Sequence, residues 1–132
     1  MTKLQNLEQL RAKNALEAIG KNVSNKGKNG GEVAKKVPAM IQQNGLLGAL
    51  AFALNKNEGH RNVLEGAISH YRRVAHLENE LSSDDAEAFT TWLSRQDSAI
   101  LRAATAEILA YLNYYRRFAD MGKVEDKNEN RD

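Results

Sequence analysis

The sequence predicts an all-α protein, and three observations carry that reading. Ala and Leu together supply 33 of its 132 residues, whereas Val and Ile supply only 11. There is a single proline. Apolar residues recur at spacings of three and four rather than alternating. Side chains that lose little rotamer freedom in a helix therefore dominate, and the β-branched strand formers are scarce. At 42% hydrophobic and 27% charged, the chain can bury a core and has the size of one compact domain.

The periodicity places a first helix from about Leu4 to Val23, with Leu4, Leu7, Leu10, Ala15, Ala18 and Ile19 on one stripe. The stretch Ser24–Gly31 holds three glycines and two lysines and reads as a linker or surface loop. A second helix follows from about Glu32 to Gln43, with Val33, Val37, Met40 and Ile41 on its apolar face. Pro38 removes a backbone donor in its middle, so a kink is expected there. Asn44-Gly45 is a stop signal, since both residues tolerate positive φ.

The third helix, about Leu46 to Asn55, carries Leu46, Leu47, Leu50, Ala51, Phe52 and Leu54 around more than one face. Such a helix is expected to be buried. The fourth runs from about His60 to Glu80 on a clear 3.6 period. Ser82-Ser83-Asp84-Asp85 reads as an N-cap with acids in the first turn of a fifth helix that ends near Ser94. Asp97 or Ser98 caps a sixth, which Met121-Gly122 ends. The expectation is a compact bundle of about six helices over residues 1–122, followed by a disordered tail, 123–132, in which seven residues are charged.

Several chemistries are excluded or disfavoured. Without cysteine there is no disulfide scaffold, thiol nucleophile or Cys-ligated metal centre. No apolar run is expected to cross a bilayer, and the N-terminal stretch lacks an apolar signal core, so a cytoplasmic location and no membrane partner are expected. His70 and His76 are six apart and so lie on different helix faces, not at the i, i+4 spacing of a two-histidine metal site. His60, His70 and His76 are read as surface or core-edge residues.

The acids Glu78, Glu80, Asp84, Asp85 and Glu87 are explained by helix capping and the helix dipole. Glu107 and Asp97 would lie about 15 Å apart along a helix, too far for a glycosidase-type pair. Glu107 is better read as the partner of an arginine on a neighbouring helix. The glycines at 27, 30 and 31 lack the preceding strand that a phosphate-cradling loop needs. The sequence thus predicts no enzyme, no metal, no cofactor and no small-molecule substrate.

Charge is nearly balanced, at +2, but it is uneven. Residues 3–36 hold eight basic side chains against three acidic, and residues 78–87 hold five acidic and none basic. Three doublets, Lys35-Lys36, Arg72-Arg73 and Arg116-Arg117, sit on predicted helices. Adjacent helical residues lie about 100° apart, so one of each pair can face solvent beside the apolar stripe. Cations on rigid elements can hold a phosphate backbone without reading bases. The aromatics fall on apolar stripes, and no exposed base-stacking platform is expected.

Three stretches resemble one family. They are Arg11-Ala12-Lys13-Asn14-Ala15; Val37-Pro38-Ala39-Met40-Ile41-Gln42-Gln43-Asn44-Gly45-Leu46 continuing through Ala49-Leu50-Ala51-Phe52 to Lys56; and Arg102, Thr105, Glu107, Tyr111-Leu112 with Arg116-Arg117-Phe118-Ala119. The family is the small (fifth) subunit of the type III-B CRISPR effector, the Cmr complex. Where the family often has Trp-Leu-Lys-Arg-Phe-Ala, this chain has Tyr114-Tyr115-Arg116-Arg117-Phe118-Ala119. The resemblance implies a helical, non-catalytic subunit in antiviral defence, stacked in copies beside the backbone and large subunits, with guide RNA and target RNA as partners. Under that reading, Lys13, Lys35, Lys36, Lys56, Arg116 and Arg117 are the candidate phosphate contacts. The alternative is a small helical protein–protein adaptor that binds no nucleic acid.

Overall fold

The computed structural model describes residues 4–21, 30–55 and 57–129, and every regular element among them is an α-helix. The elements are α1 (Leu7–Lys21), α2 (Gly30–Leu54), α3 (Glu58–Val74), α4 (Ala86–Ser94) and α5 (Ser98–Glu129). Most of the Ser24–Gly31 loop, the end of the tail and Lys56 lie outside the described residues. The all-α bundle is as expected. Five helices stand where six were predicted, because the second and third are joined into α2 across Gly45.

Gly45 has φ 80° and ψ 164°, a conformation essentially reserved for glycine. It divides α2 into two helical pieces that differ in direction. The sharp break therefore lies at the Asn44-Gly45 stop signal, and Pro38 does not end the helix. Pro38 stays within the helical run. Its ring fixes φ near the helical value, so it removes a donor without forcing the chain out of the helix.

Helix ends follow local chemistry. Asn6 and Gln9 form a reciprocal box: the Gln9 amide donates to Asn6 Oδ1 and the Asn6 amide to Gln9 Oε1, each at 2.9 Å. This starts α1 at Leu7, three residues later than the periodicity suggested. Asn57 caps α3, accepting from the His60 amide at 3.0 Å. Asp85 caps α4, accepting from the Ala88 amide at 2.9 Å, and Asp97 takes the Ile100 amide at 2.9 Å, as the sequence indicated.

The fourth predicted helix stops at Val74 rather than Glu80. His76 adopts φ 56°, and the Leu77 amide donates to the Arg72 carbonyl at 2.9 Å, closing the helix with a left-handed turn. A histidine there gives no glycine signal to read. At the other end, α5 continues through Met121-Gly122 to Glu129. A formed helix adds one hydrogen bond per residue at little further cost, and Lys and Glu are good helix formers.

α2 packs against α3, α4 and α5, and α1 closes the bundle against α5 and α3. The core is built from Val37, Ile41, Leu50, Leu64, Ile68, Phe89, Ile108, Tyr111 and Tyr115, all essentially buried. The stretch Glu32–Leu54 is long and apolar enough to span a membrane, contrary to the sequence expectation. Its apolar residues instead supply the core, and Gly45 breaks its axis. One further correction concerns α2: Phe52 is 46% exposed rather than buried.

Candidate nucleic-acid interface

The buried polar side chains show first what the interior is for. Arg11 on α1 holds Glu107 on α5 through two parallel bonds, Nε to Oε2 and Nη2 to Oε1, both at 2.8 Å. This is the bidentate geometry in which a guanidinium fits a carboxylate best. His70 on α3, fully buried, lies with Nε2 at 2.8 Å from Glu107 Oε2 and Nδ1 at 2.8 Å from Asn14 Nδ2. A side-chain amide nitrogen only donates, so Nδ1 is the acceptor and Nε2 carries the proton. His70 is therefore a neutral imidazole that donates to Glu107.

Burial lowers the His70 pKa, and the nearby Arg11 and Arg73 charges lower it further, against the pull of Glu107. Burial disfavours the charged form of Glu107, but the bonds from Arg11 and His70 outweigh it and hold the carboxyl below its usual range. The Glu107 bonds likewise hold the Arg11 guanidinium charged. Glu107 is thus the partner of an arginine on a neighbouring helix, as read from the sequence. The group ties three helices together.

The acidic segment is similarly occupied. Arg72 bonds Asp84 and, through Nε, the Leu81 carbonyl at 2.8 Å. Arg61 pairs with Asp85 at 2.8 Å and with Glu65 at 3.3 Å. These contacts fasten the 75–85 connection onto α3, so Arg72 serves the fold. Arg73 is exposed and faces Glu17 at 3.5 Å and Ser69. Among the described residues, no group of three or more histidines and acids gathers as a metal site.

The remaining cations face outward, and the fold sorts them. Lys35 from α2 and Arg116 from α5 line one groove of about 360 Å³, with Pro38, Ala39, Gln42 and Asn113 between them. The Lys35 ammonium lies 3.9 Å from Asp120, an exposed pair of little energetic weight. At Leu109 this groove meets a second, of about 560 Å³, whose walls at Gly45, Leu46, Gly48, Leu101, Thr105 and Ala106 are almost wholly apolar. The helix break at Gly45 shapes that second groove.

The other candidates do not converge with Lys35 and Arg116. Lys36 lies towards the start of α3, where its charge bears on His60. Lys13 shares a groove with Arg73 and His76 between α1 and α3. Arg117 lies near Tyr114, whose hydroxyl donates to Glu8 at 3.2 Å. Lys56 is not among the described residues. The doublet pattern marked the right elements, but only the packing of α2 on α5 decides that Lys35 and Arg116 share a groove. Arg73, which the candidate set omitted, is an exposed cation in the Lys13 groove; the Arg72-Arg73 doublet was its signal.

Together the fold and these contacts define a small helical-bundle protein whose interior polar groups hold helices together and whose cations line surface grooves. Residues 7–121 match the family model described as the CRISPR-associated protein Cmr5. The chain belongs to the Cmr5 family, the small subunit of the type III-B (Cmr) CRISPR effector, and its partners are the other Cmr subunits. The fold is similar to the crystal structure of a Cmr5 family protein from Thermus thermophilus, with a TM-score of 0.67 and 23% identity over 89% of this chain and 97% of that one. No curated protein sequence matches the chain.

Proposed function

We propose that this subunit is a non-catalytic spacer of the effector, stacked in copies in the cytoplasm, and that the Lys35–Arg116 groove steadies guide or target RNA by its phosphates. The observation that carries this is the convergence of two cations from different helices on one groove, beside which Asp120 makes only a loose, exposed pair with Lys35. Rigid helices fix their spacing in advance, so little ordering entropy is lost on contact. Phosphate contacts hold a strand without reading its bases, which suits a partner whose sequence varies. A structural role is supported by the engagement of Arg11, Asn14, His70 and Glu107 with one another rather than with a cleft.

The test is target-RNA loading of the reconstituted effector carrying Lys35→Ala and Arg116→Ala together. The expected result is weaker loading for every RNA sequence alike. The slope of log K against log salt should fall by about 0.7–0.9 per lost contact. Loading and slope equal to wild type would overturn the assignment.

A further inference from the structure

Phe52 stands out at the end of α2 as an aromatic ring that is 46% exposed. It meets His60 edge-on, with ring centroids 5.0 Å apart and planes at 61°. His60, in the first turn of α3, is 6% exposed. Asn57 Oδ1 accepts the His60 amide at 3.0 Å and lies 2.7 Å from Nδ1. A carboxamide oxygen only accepts, so Nδ1 carries the ring proton and Nε2 is left as a bare acceptor. That Nε2 is buried and has no hydrogen-bond partner. A buried acceptor without a donor is an unmet polar group in a fold that satisfies the rest of this imidazole.

A cation completes the corner. The start of α3 rests on α2 at Val33, whose Cγ2 would lie 3.3 Å from a Cβ on Gly59. Lys36 is exposed and three residues further along α2, on the neighbouring part of the same face. An aromatic face, an acceptor lacking a donor and an ammonium group are the three features a nucleotide offers partners to: a π-face, an N–H or hydroxyl, and a phosphate. An apolar protein partner would want a broader apolar surface, but Asn55 and Lys36 on the same flank are exposed and polar or charged.

We propose that Phe52, His60 and Lys36 take up one unpaired base of a single-stranded RNA: the base lies against the Phe52 ring, a base N–H or ribose 2′-hydroxyl donates to His60 Nε2, and the adjoining phosphate meets Lys36. Phe52 packs on the imidazole and Nε2 is buried, so this contact requires the exposed ring to shift its rotamer, a motion of nanoseconds for an exposed side chain. The site rests on the RNA reading above and adds a base contact to it at a different place from the Lys35–Arg116 groove.

The experiment titrates the full chain at low salt with fluorescent oligouridine, oligoadenine and an abasic ribose-phosphate oligomer of equal length, read by anisotropy. Phe52→Ala should weaken binding of the two base-bearing oligomers roughly 5- to 150-fold, with Phe52→Trp restoring it, and leave the abasic oligomer unchanged. Lys36→Ala should weaken all three alike. Circular dichroism of each variant checks that the fold is retained. Equal binding of all three oligomers by Phe52→Ala and wild type would overturn the base contact while leaving the RNA reading intact. So would loss of self-association with RNA binding unchanged, which would make the ring a protein contact. A wild-type chain that binds none of the oligomers would overturn both.

Discussion

Replacing Gly45 by alanine isolates one backbone angle. A Cβ built at Gly45 meets nothing within 4 Å, so the substitution introduces no clash and removes no contact. Its whole cost is the conformation: φ 80° with ψ 164° is a region that L-residues enter only under strain, at about 1–3 kcal/mol. For a chain of this length that is a fall in Tm on the order of 5–15 °C. Gly20→Ala is the matched control. Gly20 also has open space around its Cβ position, but it lies within α1, where alanine gains about 0.5–1 kcal/mol over glycine. Urea unfolding of both variants, followed by far-UV circular dichroism, should move the midpoints in opposite directions with the slope unchanged. Two midpoints displaced upward together, or a Gly45→Ala midpoint equal to wild type, would refute the claim that Gly45 sets the corner by its backbone.

Other expectations concern the interior. Arg11→Ala strands the half-buried Glu107 carboxylate with only the neutral His70, and should cost about 2–3 kcal/mol in urea unfolding, less than a fully buried pair because Arg11 is partly solvated. Unfolding free energy should decline over two pH ranges as acid is added. His70 and His60 both have lowered pKa values in the fold, so the unfolded chain binds more protons as pH drops through the ordinary histidine range, and stability declines from there down to the folded values. Glu107, also lowered, contributes stability that is present above its unfolded pKa and lost as pH falls through its folded one. His70→Gln should flatten the decline in the first range in a plot of unfolding free energy against pH; an unchanged plot would contradict the neutral tautomer. His76→Gly relieves a left-handed histidine and should raise stability by about 1 kcal/mol, measured the same way.

The helix corner at Gly45 was legible because Asn-Gly is a local signal with a local cause. The caps at Asp85 and Asp97 were legible for the same reason, and the box at Asn6 and Gln9 should have been, since it has the required spacing of three. Pro38 loses a donor without ending the helix, because its ring already holds a helical φ, and the neighbouring turns carry the run past it. The end of α3 at His76 depends on a non-glycine residue entering the left-handed region, which no residue type announces. Glu107 could be assigned an arginine partner from its isolation among apolar neighbours, but the choice of Arg11 is a tertiary fact. Phe52 was misplaced because an apolar run around a whole helix does not say which side the other helices leave bare. Among the cations, the doublets gave the candidates, and packing decided which of them meet.

The bond between Arg11 and Glu107 spans 96 residues of chain. During synthesis at ordinary speed, the first helix therefore waits on the order of 5–20 s for its anchor to leave the ribosome. Until then Ala15, which is fully buried in the finished bundle, lacks the α5 side of its packing. The closure of the bundle therefore depends on one late carboxylate, and α1 docks only when nearly the whole chain has been made.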